Sequence, residues 1–202
     1  FYGVAPASEL VVVKLRQAKQ VWRDFFVIPD DSVCFQSNHV MWGIQYCIEY
    51  ARSVNRPIAI CLGIGTSQEA HDGRSYLSNF TTIVSDFSEC AIVVAAGNEG
   101  NMGRHFSDTI ESGLNSVLVE LNVGDEEGFT MELWGQSPGI FSIDILTPNG
   151  EYIPRIPPQL RVHRVITFVF EETIIYVDYH TVELDTGDQL ILLRFHKPTP
   201  GL

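Results

Sequence analysis

The hydrophobic pattern of the chain changes near its middle, and the first half alternates short apolar runs with amphipathic stretches. Residues 10–15, 57–62 and 91–96 are apolar runs that predict buried strands. Between them, residues 39–53 and 75–89 place apolar side chains at helical spacing and so predict two helices. Because strands this apolar need cover on both faces, the β-α-β-α-β order predicts a parallel sheet with helices packed against it.

The second half carries shorter runs that are separated by turn signals, and no stretch has a convincing helical period. The predicted strands are residues 116–122, 129–134, 140–146, 163–170, 173–180 and 189–195. Pro154, Pro157 and Pro158 predict an irregular crossing between strands. Evenly spaced short strands are typical of an antiparallel β-sandwich such as a jelly roll. The fold class predicted is therefore α/β plus all-β, with a partial parallel-sheet domain over 1–103 and a sandwich domain over 104–202.

Composition and charge narrow the function classes. The chain has 13 Lys and Arg against 25 Asp and Glu, a net charge of −12. This balance argues against nucleic acid and against an anionic membrane surface as partners. A hydrophobic fraction of 45% indicates a globular core, and no run reaches the ~18 apolar residues of a transmembrane helix.

The cysteine, histidine and acidic residues give no pattern typical of a metal site, so we expect neither a metal nor a cofactor. The four cysteines (Cys34, Cys47, Cys61 and Cys90) form no C-x-x-C pair and are expected to be buried free thiols. Free thiols favour a reducing compartment, such as the cytoplasm or a spore, without determining it. The acidic run Asp125-Glu126-Glu127 could hold calcium, although a solvated turn is the commoner role of such a run.

The most informative residues follow the third apolar run, in the segment Ala95-Ala96-Gly97-Asn98-Glu99-Gly100. Ligands of open α/β sheets bind beyond the carboxyl ends of the strands, which is where Asn98 is expected. An asparagine amide at such a place can donate to a developing oxyanion. The alternative is that the segment is only a turn after a buried strand.

Four ordered segments resemble the subtilisin-like serine protease family. Gly3-Val4-Ala5-Pro6 with the run that ends at Val13-Lys14 resembles the segment after the catalytic-histidine helix of that family. Trp42-Gly43-Ile44 through Ala51 resembles the next helix, and Cys61-Leu62-Gly63 stands where the family usually has Ser-Leu-Gly. Residues 95–100 match the family's oxyanion-asparagine motif without a change.

Within this family, the chain resembles the spore-germination branch. Leu15-Arg16-Gln17-Ala18-Lys19 leads into a long connection, and a β-rich segment directly follows the asparagine motif. Both features are similar to proteases that carry a jelly-roll insertion before the catalytic serine. The family's chain order would place its catalytic Asp and His before Phe1 and its serine after Leu202. The resemblance therefore implies a central part of a longer protease.

The resemblance also implies roles for particular residues. Asn98 would donate to the oxyanion, and the edge at Leu62, Gly63 and Ile64 would bind the substrate as an added strand. Ala95, Ala96 and Gly97 would line one wall of the specificity pocket, opposite Leu62 and Ile64, and Asn98 is expected near the Leu62-Gly63 edge. The partners implied are a protein or peptide substrate and the remainder of the protease chain. Without that remainder, exposed sheet edges make self-association possible, and the chain alone is expected to be inactive.

Two segments imitate catalytic motifs. Gly65-Thr66-Ser67 resembles a nucleophile motif, but Gln68-Glu69 follows it and it precedes the asparagine motif. We therefore expect Ser67 to be a loop hydroxyl. His71-Asp72-Gly73 places a histidine beside a carboxylate, but adjacent side chains usually point apart, so this segment is expected to be a loop.

Two non-catalytic alternatives remain open at this stage. Some germination-branch proteins are pseudoproteases that keep the fold without the catalytic triad. Residues 104–202 could instead be a module that binds carbohydrate or protein. Aromatic contacts for such a module could come from Trp134, Tyr152, Tyr176 and Tyr179, although a place in the sandwich core or on a sheet face is the commoner role.

Overall fold

The structure, a computed structural model, describes residues 3–87, 89–124, 128–158, 163–167 and 173–197. Contacts divide the chain into two compact units, each built from several segments. The first unit comprises Phe1–Ala18, Val33–Gly65 and Tyr76–Ala96, and the second comprises Lys19–Ser32, Thr66–Ser75 and Gly97–Leu202. The helices are α1 (Gln20–Phe25), α2 (Ser37–Ser53) and α3 (Tyr76–Ser85). The strands are β1 (Ile58–Leu62), β2 (Cys90–Val94), β3 (Gly128–Gly135), β4 (Ile143–Leu146), β5 (Tyr152–Ile156), β6 (His163–Thr167), β7 (Ile174–His180) and β8 (Gln189–His196).

The first unit packs α2 and α3 on a parallel pair of strands. β1 and β2 pair in register from Ile58–Cys90 to Leu62–Val94, which confirms the prediction of parallel strands here. The apolar stripe of α2 is buried as its helical spacing predicted, at Val40, Ile44, Cys47, Ile48 and Ala51. Full burial of an aliphatic side chain such as Ile44 stabilises the fold by roughly 1.5–3 kcal/mol. The stripe packs with Ile60 and Val84 in one cluster, so this core holds the strand pair in place.

Only one face of this strand pair is covered within the described residues. Ile58, Ile60 and Leu62 pack into the core, whereas the alternating Ala59 and Cys61 are exposed. On β2, 60% of Val93 is exposed. The prediction of cover on both faces is therefore wrong for the described chain, because both helices that contact the strands share a single core cluster.

The first apolar run alternates in burial as a strand does, but it is not a strand. Val11, Val13 and Leu15 pack against the core while their neighbours are more exposed, as alternation requires. Residues 10–15 nevertheless form no strand ladder, and the regular pairing next to this run is a single Gln17–Phe35 bridge. Gly43 explains how the run approaches α2, because a Cβ there would lie 3.3 Å from both Val13 and Leu15.

The second unit contains a four-stranded antiparallel sheet, in the order β3-β8-β7-β6, and an antiparallel β4-β5 hairpin. One face of the large sheet and the hairpin share a core, whose fully buried members include Ile156, Ile175, Val177 and Ile191. Every regular element in the described part of residues 112–202 is a strand. The prediction of antiparallel strands is confirmed for this unit.

The second half differs from the predicted strands at residues 116–122 and 152–156. Residues 116–122 form no strand, and 89% of Leu118 is exposed, because apolar composition cannot replace a partner strand. Tyr152–Ile156 is a strand despite Pro154, since among the described strands it pairs with β4 alone and proline is tolerated on an edge strand. Of the predicted strand 163–170, residues 168–170 lie outside the described residues.

Helix α1 occurs where the sequence predicted only a connection. Its six residues are too few for a periodic signal, so its stability must come from contacts outside the helix. Arg23 is 5% exposed and donates from Nη2 to the carbonyl oxygens of Pro29 at 2.5 Å and Ser32 at 2.9 Å. These bonds hold the following turn against the helix.

Candidate functional site

The carboxyl ends of β1 and β2 meet at one edge of the parallel pair. The backbone N–H of Ala95 donates to the carbonyl oxygen of Leu62 at 3.0 Å, which extends the pairing by one residue beyond β2. Leu62 and Ile64 are partly buried against the core, whereas Gly63, Ala95 and Ala96 are exposed. The structure thus brings Leu62 and Ala95 together at this edge, which was predicted to bind substrate.

Gly63 has open space where a side chain would be. A Cβ at this position meets no heavy atom within 4 Å, and Gly63 has no positive φ. Neither the packing nor the backbone of the described chain therefore requires a glycine here. The free space is available to a molecule that approaches from solvent.

The asparagine motif leaves its strand through a glycine turn. Gly97 has a φ of +86°, a conformation that favours glycine, and Met102 N–H donates to the Glu99 carbonyl at 2.9 Å. Asn98 is exposed four positions after the end of β2. Because Gly97 and Asn98 belong to the second unit and Gly63 to the first, the expected proximity of Asn98 and Gly63 stays a prediction.

Glu99, the neighbour of Asn98, is held by two side chains of its own unit. Its Oε1 accepts a hydrogen bond from Arg104 Nη1 at 3.0 Å, and its Oε2 accepts one from Ser67 Oγ at 3.4 Å. Ser67 belongs to the segment Thr66–Ser75, so this contact joins two segments that are 32 residues apart. The sequence predicted a loop hydroxyl at Ser67 but gave no signal for its contact with Glu99.

The segment around His71 has the geometry of a loop, not of a catalytic dyad. The partner of the His71 ring Nε2 is the backbone carbonyl oxygen of Ser67, at 3.2 Å, and not the Ser67 hydroxyl. Asp72 turns instead to Arg74, whose backbone N–H and guanidinium hold the pKa of the Asp72 carboxyl below its ordinary value. The His71 ring stacks on His105 at a centroid distance of 5.3 Å. The loop prediction for residues 71–73 is confirmed.

The segment Thr66–Ser75 is anchored at two points of the second unit, one on strand β3 and one in the segment just before β8. Glu132 Oε2, on β3, accepts the backbone N–H of Glu69 at 2.7 Å and the indole N–H of Trp134 at 3.0 Å. Arg74 donates to Asp188 Oδ2 at 2.5 Å and to the Thr186 carbonyl at 2.7 Å. The bond from Arg74 to the buried carboxylate of Asp188 joins two charged groups, and such hydrogen bonds are stronger than those between neutral groups.

A second polar cluster lies on the large sheet, across β6, β7 and β8. Asp178 accepts from Arg194 Nη2 at 2.9 Å and contacts His163 Nδ1 at 2.5 Å. The Arg194 guanidinium also lies over the Phe25 ring, 4.1 Å from its centroid. Burial and the nearby Arg194 charge lower the pKa of His196. This cluster fastens helix α1 to the sheet.

The four aromatic residues considered for a binding module serve mainly structural contacts. Tyr179 is 2% exposed and donates from its hydroxyl to the Ile156 carbonyl at 2.7 Å. The Trp134 indole is bonded to Glu132, and the Tyr176 ring stacks on His163. Tyr152 is 54% exposed, but its hydroxyl donates to Asp144 on the neighbouring strand. No row of free aromatic faces is present among these four side chains.

All four cysteines are free thiols, and they differ in burial. Cys47 is buried as predicted, and burial raises the pKa of its thiol. The prediction is wrong for Cys61, which is exposed on the uncovered face of β1, and Cys34 and Cys90 are partly buried.

Within the described ranges, no three His, Cys, Asp or Glu side chains converge as metal ligands would. The acidic run Asp125-Glu126-Glu127 lies outside those ranges. No described helix combines the length and apolar character that crossing a membrane requires.

The chain is similar in fold to a solved protease. No protein-family model matches it, and no curated protein sequence matches it. The structure of the Clostridium perfringens CspB protease is similar to it with a TM-score of 0.69 and 21% sequence identity. The match covers 87% of this chain but only 37% of that protease chain. At this level of identity the likeness shows a common fold.

Proposed function

We propose that this chain is the central part of a subtilisin-like serine endopeptidase of the germination branch, and that it supplies an oxyanion donor and part of the substrate-binding edge. The observation that carries the proposal is the fold likeness to the CspB protease, which extends over 87% of the chain. The unchanged Ala95–Gly100 motif adds to it, because it lies within a chain of that fold. Residues 1–103 would form the partial protease domain and residues 104–202 a jelly-roll insertion.

In this proposal Asn98 stabilises the transition state of peptide hydrolysis. A serine supplied by the remainder of the protease attacks the peptide carbonyl, and the Asn98 side-chain amide donates to the oxygen as it becomes negative. Such a donor accelerates the chemical step because it binds the developing charge more tightly than the neutral carbonyl. The exposure of Asn98 after the Gly97 turn supports this role, since a donor must be reachable by substrate.

The substrate backbone would add as a strand along Leu62, Gly63 and Ile64. Added strands gain main-chain hydrogen bonds and need a backbone surface free of side chains. The open space at Gly63 supports this role. The small residues Ala95 and Ala96, both exposed, would form one wall of the specificity pocket together with Gly97.

The test replaces Asn98 in the longer protease chain. Asn98→Ala should lower turnover by about 10²–10³, the loss known for removing the corresponding donor from subtilisin, and should change KM little. Asn101→Ala is the matched control, because Asn101 is an exposed asparagine three positions away. Equal turnover of Asn98→Ala and the control would refute the oxyanion role.

The second candidate function is that of a pseudoprotease, which would use the same fold without catalysis. The fold likeness supports it equally, because a fold alone does not determine chemistry. Treating the longer protease chain with a serine phosphonate distinguishes the two candidate functions. The reagent labels an activated serine stoichiometrically and leaves a pseudoprotease unlabelled. The binding-module alternative is less favoured, since Tyr179 is buried and Trp134 and Tyr176 are engaged within the sheet.

A further inference from the structure

The segment Thr66–Ser75, called the brace below, has a fixed shape. Glu69 and His71 have φ values of 81° and 56°, a left-handed conformation that is strained for a residue other than glycine. Such strain persists only where the surroundings determine the conformation. Here the surroundings are β3, through Glu132, and the segment before β8, through Asp188.

The brace contacts residues 97–105, called the Asn98 loop below, at two separate points of the same unit. Ser67 Oγ donates to Glu99 at 3.4 Å, and the His71 ring stacks on the His105 ring with an interplanar angle of 24°. Glu99 is bound from its other oxygen by Arg104, so it is held on two sides. The two contact points lie on either side of the turn that joins Glu99 and Met102.

The Asn98 loop has no regular secondary structure that could hold it. Its residues are exposed, and a backbone of this kind is mobile unless side chains tie it down. An oxyanion donor acts only if it is already oriented when the charge develops, because reorientation would consume the energy that it supplies. The loop therefore needs an external support.

We propose that the brace positions Asn98, and that Glu99 and Glu132 are positioning residues of the candidate active site. Glu132 fixes the brace on the large sheet, the brace holds Glu99 and His105, and these hold the loop on both sides of its turn. The proposal gives the brace and Glu132 a role in catalysis that needs no contact between them and the substrate. It rests on the proposed function for the meaning of Asn98, but the contacts themselves can be tested without any activity.

The first experiment measures backbone order in the 202-residue chain by ¹⁵N NMR relaxation. In the native chain the order parameters of the Asn98 loop should be near the ~0.85 of rigid backbone. Ser67→Ala and His105→Ala should each lower them, and the double variant should bring them below ~0.6. Both changes are at exposed side chains, so they spare the fold. The matched control is His180→Ala, an exposed histidine of β7 outside the brace.

The same measurement tests the anchor. Glu132→Ala removes the acceptor of two N–H groups and should loosen both the brace and the Asn98 loop. Glu132→Gln keeps an acceptor oxygen and should restore order. A rigid Asn98 loop in the Ser67/His105 double variant, or a loop that is already flexible in the native chain, would overturn the proposal.

The second experiment uses the longer protease chain and separates the two proposals. The Ser67/His105 double variant should lower kcat at least about tenfold with KM changed less than about twofold, because binding precedes the step that needs the oriented donor. Loss of loop order with unchanged kcat overturns the positioning role. If Asn98→Ala leaves turnover intact while the double variant loosens the loop, the brace stands as a structural contact and the oxyanion role of Asn98 fails.

Discussion

The replacement Gln189→Ala tests the packing of the second unit most directly. Gln189 is 2% exposed, and both ends of its side-chain amide bind the backbone of one residue. Its Oε1 accepts the Phe141 N–H at 2.6 Å, and its Nε2 donates to the Phe141 carbonyl at 2.9 Å. A buried polar group that loses its partner costs about 1–3 kcal/mol, so two such groups would cost about 2–6 kcal/mol. Because these bonds are only partly buried, water compensates some of the loss, and we expect about 2–4 kcal/mol.

The assay is amide hydrogen exchange in β7 and β8, which reports the opening free energy of this unit by itself. Protection at the fully buried Val177 and Ile191 should fall by the full amount. Gln136→Ala is the control, since Gln136 is an exposed glutamine directly after β3, the strand that pairs with β8. It should change the free energy of unfolding by less than about 0.5 kcal/mol. A loss below about 1 kcal/mol for Gln189→Ala would refute the reasoning that these two bonds are needed.

Three further predictions concern the substrate-binding edge, the pH dependence of stability and the reactivity of Ser67. Gly63→Ala should leave the stability unchanged or slightly raised, because the added Cβ meets no atom within 4 Å. The same replacement should lower kcat/KM of the longer protease at least about tenfold, because the methyl group obstructs the substrate backbone. The pKa of His196 is lowered in the folded chain, so the unfolded chain binds a proton at this residue more readily. The contribution of His196 to the free energy of unfolding should therefore be complete above about pH 6.5 and should decline as the pH falls below that value. Urea unfolding at pH 7.5 and 5.5 would measure this decline, which should be smaller in His196→Gln. The 202-residue chain should neither hydrolyse a fluorogenic peptide nor react at Ser67 with a serine phosphonate. The reason is that the Ser67 hydroxyl faces Glu99 and no imidazole nitrogen activates it. Stoichiometric labelling of Ser67 would contradict this assignment.

Local periodicity was enough to predict the elements whose stability depends on one apolar stripe. The helix over 39–53 was predicted from its spacing, and α2 buries that stripe from Val40 to Ala51. The parallel pair was predicted because two apolar runs flank a helical segment, and β1 and β2 pair in that way. The short run at residues 189–195, which follows a turn signal, likewise predicted a strand in the place of β8. The signal for each single helix or strand lies within about twenty contiguous residues, because it rests on a period of 2 or 3.6.

Whether a segment pairs as a strand with a segment distant in sequence was determined by the tertiary structure alone. Residues 10–15 have the composition of a strand but form no strand ladder, and residues 152–156 form a strand although Pro154 argues against one. Both outcomes depend on whether a neighbouring backbone is available, which no local pattern encodes.

The site divides in the same way between sequence and fold. The motif Ala95–Gly100 is a contiguous string, so the candidate donor Asn98 could be identified from the sequence alone. Its support could not be identified, because Ser67 meets Glu99 across 32 residues and Glu69 meets Glu132 across 63. A contact between single polar side chains at such separations leaves no period and no composition signal, and it exists only because the folded chain brings those two segments together.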